Sequence, residues 1–183
     1  MFIQLLKKVA MALDASGIPY MIIGGQAVLL HGEPRLTRDI DITLGITTEK
    51  LDLVLALIGE IGLKPLVEPN DFTLQTMVLP CQHFESPIRV DFIFSFSPYE
   101  RQAMERVCLV EMEGVKVKFA SAEDLLIHKV FAGRPRDMED VKSILIKNPG
   151  MDFPYIRKWL NELSEATGEL FGSRFESVLK EIS

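Results

Sequence analysis

With 183 residues, 48% of them hydrophobic, and a formal net charge of −6, the chain is long enough for one domain with a real core and too apolar for a disordered tail. The negative balance argues against a protein that coats nucleic acid by bulk electrostatics and leaves only local groups of Arg and Lys to hold phosphates. Cys81 and Cys108 are too few for a disulfide framework and lack Cys-x-x-Cys spacing, so a reduced, cytoplasmic setting is the expectation.

Phe2, Leu5, Leu6, Val9 and Leu13 recur at helical spacing while Lys7 and Lys8 interrupt the apolar run, which makes the first segment an amphipathic helix rather than a targeting segment. No apolar stretch approaches the roughly 18 to 20 residues needed to span a bilayer, so a soluble chain with no membrane partner is expected. Residues 20–23 read as a short buried strand, Gly24 and Gly25 let the backbone turn sharply, and residues 26–31 read as a short helix. Residues 40–44 form the next predicted strand. Thr47 or Thr48 caps a helix through Ile61 that Gly62 stops.

Residues 72–79 and 88–96 read as two strands joined by a polar segment, 80–87, and a helix follows over 98–105. Residues 107–112 and 115–119, joined at Glu113-Gly114, give the strongest hairpin signal in the chain. Beyond it the pattern is helical. Ser121 opens a helix ending near Phe131, Gly133 breaks it, and Pro135 begins another that runs to Lys147. Asn148-Pro149-Gly150 marks the clearest boundary and divides region 1–148 from a C-terminal helical extension, 149–183. The extension carries Trp159, Leu160, Leu170, Phe171, Phe175, Val178 and Leu179; an apolar face of this kind serves helix packing, a partner protein or a second subunit.

Two features carry chemistry. Gly24-Gly25 between a strand and a helix places backbone N–H groups where a phosphate binds, at a helix N-terminus. Asp39 and Asp41 leave one face of their strand while Ile40 and Ile42 leave the other, and two oxygen ligands on one face suit Mg²⁺. Asp91 interrupts a strongly strand-forming run and needs a partner, either a cation or an ion pair with Arg35 or Arg38. Two divalent ions about 3.5 to 4 Å apart would hold all three carboxylates ionised. His31, His83 and His128 are isolated from other ligands and read as core or surface residues.

These motifs, in this order, resemble the nucleotidyltransferase superfamily typified by DNA polymerase beta, with its Gly-Gly, spacer, Asp-x-Asp and later Asp. Arg35-Leu-Thr-Arg38-Asp39-Ile40-Asp41 and Lys129-Val-Phe-Ala-Gly-Arg134-Pro-Arg136-Asp137-Met-Glu-Asp140 are similar to the AbiEii group of abortive-infection toxins. The resemblance covers roughly residues 15–145. It implies an α+β fold: a mixed, mainly antiparallel sheet with the three Asp residues at one end, packed helices, and the C-terminal helices closing the cleft.

The activity implied is transfer of an NMP from an NTP, such as ATP, to an acceptor hydroxyl on a tRNA end, a protein side chain or a small molecule, in a toxin and antitoxin or phage-defence setting. Asp39, Asp41 and Asp91 would be catalytic and hold two Mg²⁺, with Mn²⁺ able to substitute. Gly24, Gly25, Arg35, Arg38, Lys129 and Asp137 would bind the nucleotide. Lys129 is otherwise a solvated helix lysine, and Asp137 a carboxylate stabilised in the first turn of its helix. A partner antitoxin or a homodimer would use the C-terminal helices. The competing reading is a catalytically silent module that binds nucleotide or a partner on the same fold.

Overall fold

The computed structural model describes residues 1–95 and 97–182. The chain separates into two compact units, one of residues 1–26 and 36–119, the other of residues 27–35 and 120–183.

The first unit begins with α1 (Phe2–Ala15), β1 (Tyr20–Ile23) and the start of α2 (Gly24–His31). It continues through β2 (Asp39–Leu44), a 3₁₀ turn (Thr48–Lys50), α3 (Leu51–Glu60), β3 (Leu63–Pro65), α4 (Pro69–Thr76), β4 (Val78–His83) and β5 (Arg89–Phe94). It ends with α5 (Pro98–Glu105), β6 (Cys108–Met112) and β7 (Val115–Phe119). The described strands form one mixed sheet in the order β3-β4-β5-β2-β1-β7-β6. Only β2 with β5 and β1 with β7 are parallel; the other neighbours are antiparallel, as a mainly antiparallel mixed sheet requires.

Strand register sorts the two faces. Ile40, Ile42 and Leu44 lie beside Val90, Phe92 and Phe94, and all six are buried. Burying six such side chains, at about 1.5 to 3 kcal/mol each, anchors the two strands that carry the acids. The opposite face of the same rungs holds Asp39, Asp41 and Thr43 beside Arg89, Asp91 and Ile93. Leu5, Leu6, Val9, Ala10 and Leu13 form the buried stripe of α1, which packs on β7 and α3.

The predicted elements hold at the Glu113-Gly114 hairpin, where φ of 47° and 83° gives the doubly left-handed turn that a two-residue connection needs. They hold also at α5, whose Ser97 and Glu100 form a capping box. Residues 72–79 differ. The predicted strand is largely α4, because the Glu68 carboxylate accepts from the Asn70 and Asp71 N–H groups and Pro69 fits the first helical turn. The following strand, β4, occupies part of the predicted polar connection, and β3 was not anticipated. Residue 96, the expected end of the next strand, lies outside the described residues, as does Ser183.

The second unit is helical: the remainder of α2, then α6 (Ala122–Ala132), α7 (Pro135–Lys147), α8 (Phe153–Thr167) and α9 (Phe171–Ile182). Gly133, at φ 63°, caps α6 and Pro135 opens α7. The predicted extension is therefore packed into the same unit as α6 and α7, with Phe131 on Phe171 and Phe153 near Phe175. No helix among the described residues is long and apolar enough to cross a membrane.

Candidate active site

Asp41 sits directly beside Asp91 on the parallel β2–β5 pair, and Asp39 sits two rungs away beside Arg89. Asp39 is exposed, and Asp41 and Asp91 are half-buried. The sequence left Asp91 to a cation or to an ion pair with Arg35 or Arg38. Its partner is neither arginine: Arg89 Nε donates to Asp91 Oδ1 at 2.7 Å. The hydrogen bond to Asp91, followed by the fields of Asp91, Asp39 and Asp41, holds the Arg89 guanidinium above its ordinary pKa. Among the described residues no three His, Cys, Asp or Glu side chains converge as a ready-made metal cage.

The glycine pair is fixed by contact as well as by conformation. Gly24 has φ 63°, and a Cβ there would stand 1.9 Å from Asp41 Oδ2, so only a bare Cα lets that carboxylate lie against the start of α2. A Cβ on Gly25 would come within 2.4 Å of Thr37 Oγ1. Thr43, two residues beyond Asp41 on the same strand face, is buried and its hydroxyl has no hydrogen-bond partner. Arg38 is exposed and immediately precedes Asp39. Thus Gly24, Gly25, Arg38, Asp39, Asp41 and Asp91 all belong to the sheet unit.

Arg35, Lys129 and Asp137 belong to the helical unit. Lys129 is buried rather than solvated. Its buried ammonium lies 2.9 Å from Asp137 and 2.8 Å from Asp140. Arg35 grips Asp140 through Nε and Nη2, and Arg134 donates through Nε and its backbone N–H to Asp137. The result is an alternating chain: Arg134, Asp137, Lys129, Asp140, Arg35. Burial opposes ionisation of Asp137, but the hydrogen bonds from Arg134 and Lys129 outweigh it and keep its carboxyl below the usual range.

Over residues 1–176 the chain matches the family described as nucleotidyltransferase of unknown function (DUF6036). The chain belongs to this family. Its fold is that of ANT(2'')-Ia, solved in complex with adenylyl-2''-tobramycin, with a TM-score of 0.60 and 16% identity over 96% of this chain and 97% of that chain. The solution structure of the antibiotic-resistance factor ANT(2'')-Ia aligns with a TM-score of 0.58 and 16% identity over 98% of this chain and 94% of that chain. An antigenic nucleotidyltransferase-like protein from Paracoccidioides brasiliensis gives a TM-score of 0.58 and 18% identity over 96% of this chain and 92% of that chain. A search of curated proteins found no match. The nucleotidyltransferase resemblance and the α+β mixed-sheet expectation therefore hold.

Two residues of the charged groups described above were not singled out from the sequence. Arg89 lies two positions before Asp91 in a strand, the spacing that puts both side chains on one face. Asp140 lies three positions after Asp137 in a helix, the spacing that aligns them along one side. Both periodicities were visible; the pairing with Lys129 and Arg35 was not.

Proposed function

We propose that the chain is a divalent-cation-dependent nucleotidyltransferase that moves an NMP from an NTP to an acceptor hydroxyl. The observation that carries this reading is the placement of Asp39, Asp41 and Asp91 on one face of adjacent strands, with the Asp41 carboxylate against Gly24 at the start of α2. Their oxygen-only donor set fits Mg²⁺ or Mn²⁺, and the bare Gly24 Cα leaves room that a side chain would fill. Two Mg²⁺ held by Asp39, Asp41 and Asp91 would neutralise phosphate charge and lower the pKa of the acceptor hydroxyl.

The chain's own groups supply binding and orientation. First-turn N–H groups of α2, from Gly24 and Gly25 onward, have no intrahelical partner and take phosphate oxygens. Arg38 adds positive charge beside Asp39. Asp91 accepts the proton of the attacking hydroxyl; the acceptor oxygen bonds to the α-phosphorus, the bond to the β-phosphate oxygen breaks, and pyrophosphate leaves. Arg35, Lys129 and Asp137 are joined in the ion chain of the helical unit, where Arg35 is bound to Asp140.

The net charge of −6 favours a compact acceptor over an extended duplex. A small hydroxylated compound, a tRNA end and a protein hydroxyl are the acceptors to screen. The narrower likeness to the AbiEii group supports a toxin and antitoxin or phage-defence setting. The test is pyrophosphate release from each of the four NTPs with Mg²⁺ and a cell extract, with Asp41→Asn as control. Release that needs both Mg²⁺ and Asp41 is expected. No release above the control with any NTP would overturn turnover and favour the second reading, a silent nucleotide-binding module, for which the Arg89–Asp91 pair is the supporting observation.

A further inference from the structure

The register of β2 and β5 draws a square on one face of the sheet: Asp39 beside Arg89, and Asp41 beside Asp91. Three corners are carboxylates and the fourth is a guanidinium. A strand-end arginine with no task would extend into water. Arg89 instead reaches along its own strand to Asp91, two residues on, at 2.7 Å. Its side chain is 47% exposed whereas that of Asp91 is 15% exposed, so the guanidinium lies on the solvent side of the pair with room to leave.

We propose that Arg89 is a tethered counter-ion that engages Asp91 in the cation-free protein and competes with the incoming divalent cation for it. This rests on the reading of Asp39, Asp41 and Asp91 as cation ligands. Three carboxylates on adjacent strands repel one another, and the always-charged guanidinium of Arg89 offsets that repulsion while the site holds no cation. A divalent cation brings more charge to the same oxygens and takes over this task, but must first displace Arg89. Because the pair is half-exposed, its contribution is small, and the competition amounts to about a two- to fivefold reduction in cation affinity.

The experiment follows Mn²⁺ binding by the electron paramagnetic resonance of free Mn²⁺, without nucleotide, in wild type, Arg89→Gln, Arg89→Lys and Asp91→Asn. Melting temperatures in chelator and in Mn²⁺ are measured alongside. Arg89→Gln should bind Mn²⁺ about two- to fivefold more tightly than wild type, melt lower in chelator, and gain more on Mn²⁺ addition. Arg89→Lys keeps the charge but loses the planar fork, so it should fall between the two. Wild-type binding with equal or weaker affinity in Arg89→Gln would overturn the competition while leaving the cation site standing. Should Arg89→Gln not fold, an Arg89→Lys affinity equal to or below that of wild type overturns it. A wild type that binds no better than Asp91→Asn would overturn the cation site, and the competition with it.

Discussion

Lys129 Nζ lies 2.9 Å from Asp137 Oδ1, and the two side chains are only 6% and 3% exposed. Asp140 closes on the same ammonium from a second position, and Arg35 and Arg134 satisfy the outer oxygens of the two carboxylates. Removing the central cation would leave two buried carboxylates with one partner each. Lys129→Ala should therefore cost about 3 to 5 kcal/mol of stability, read as a shift in the urea midpoint. Lys129→Met restores the volume but not the charge and should rescue little. A solvated lysine would give a loss within about 0.5 kcal/mol, and that result would remove the ion chain from the account.

Acid should act on the protein in two separate windows. Burial lowers the pKa of His31 below its ordinary 6.5, against the opposing hydrogen bond to the Ala120 carbonyl. The unfolded chain then binds a proton that the folded chain resists, so stability is lost as pH falls below 6.5 towards the lower folded value. Asp137, also lowered, contributes fully above its ordinary 3.8 and loses its contribution only as pH falls through its folded value. As pH falls below 6.5, melting temperature should drop more steeply in wild type than in His31→Gln, with the Asp137 loss appearing only in stronger acid. Parallel curves for the two proteins would refute the His31 assignment.

The acid face was legible because alternation along a strand is fixed by backbone geometry: once residues 40–44 read as a strand, Asp41 and the preceding Asp39 shared a side. Turn chemistry made β6 and β7 legible as well, through Glu113-Gly114. Residues 72–79 misled because their apolar content suits a strand, while the helix is nucleated upstream by a Glu68 cap, a residue type outside the usual N-cap set. Residues 80–87 read as a polar connection, but Pro80 lies within β4, past the end of the short β3 ladder, where its lack of an N–H is tolerated. Arg89 and Asp140 stayed hidden because each is defined by which charge it meets. Strand and helix periods give a residue's side, not its partner.

Gly24 and Gly17 offer a matched pair for measuring what the site demands of the backbone. Both are left-handed, at φ 63° and 64°, but a Cβ on Gly17 meets nothing within 4 Å whereas one on Gly24 strikes the Asp41 carboxylate. Gly17→Ala should cost only the conformational penalty, about 1 to 2 kcal/mol. Gly24→Ala should cost more and also weaken Mn²⁺ binding, because Asp41 must move. Equal losses of stability with unchanged Mn²⁺ affinity would show that Gly24 serves the turn alone.

Thr43 completes the acid face of β2. It follows Asp39 and Asp41 at two-residue spacing, is 1% exposed, and carries a buried hydroxyl without a hydrogen-bond partner. Replacing an unsatisfied buried hydroxyl with a methyl of nearly the same shape removes a desolvation penalty, and valine suits a strand better than most residues. Thr43→Val should therefore raise stability by about 1 kcal/mol in the cation-free protein, read from the urea midpoint with an unchanged slope. If the hydroxyl has a partner in solution, such as a bound water or the hydration shell of a cation on Asp41, the same substitution would lower stability instead. Repeating the denaturation in Mn²⁺ separates these two partners: a water-held hydroxyl costs the same with and without the cation, whereas one recruited by the cation costs only when it is bound.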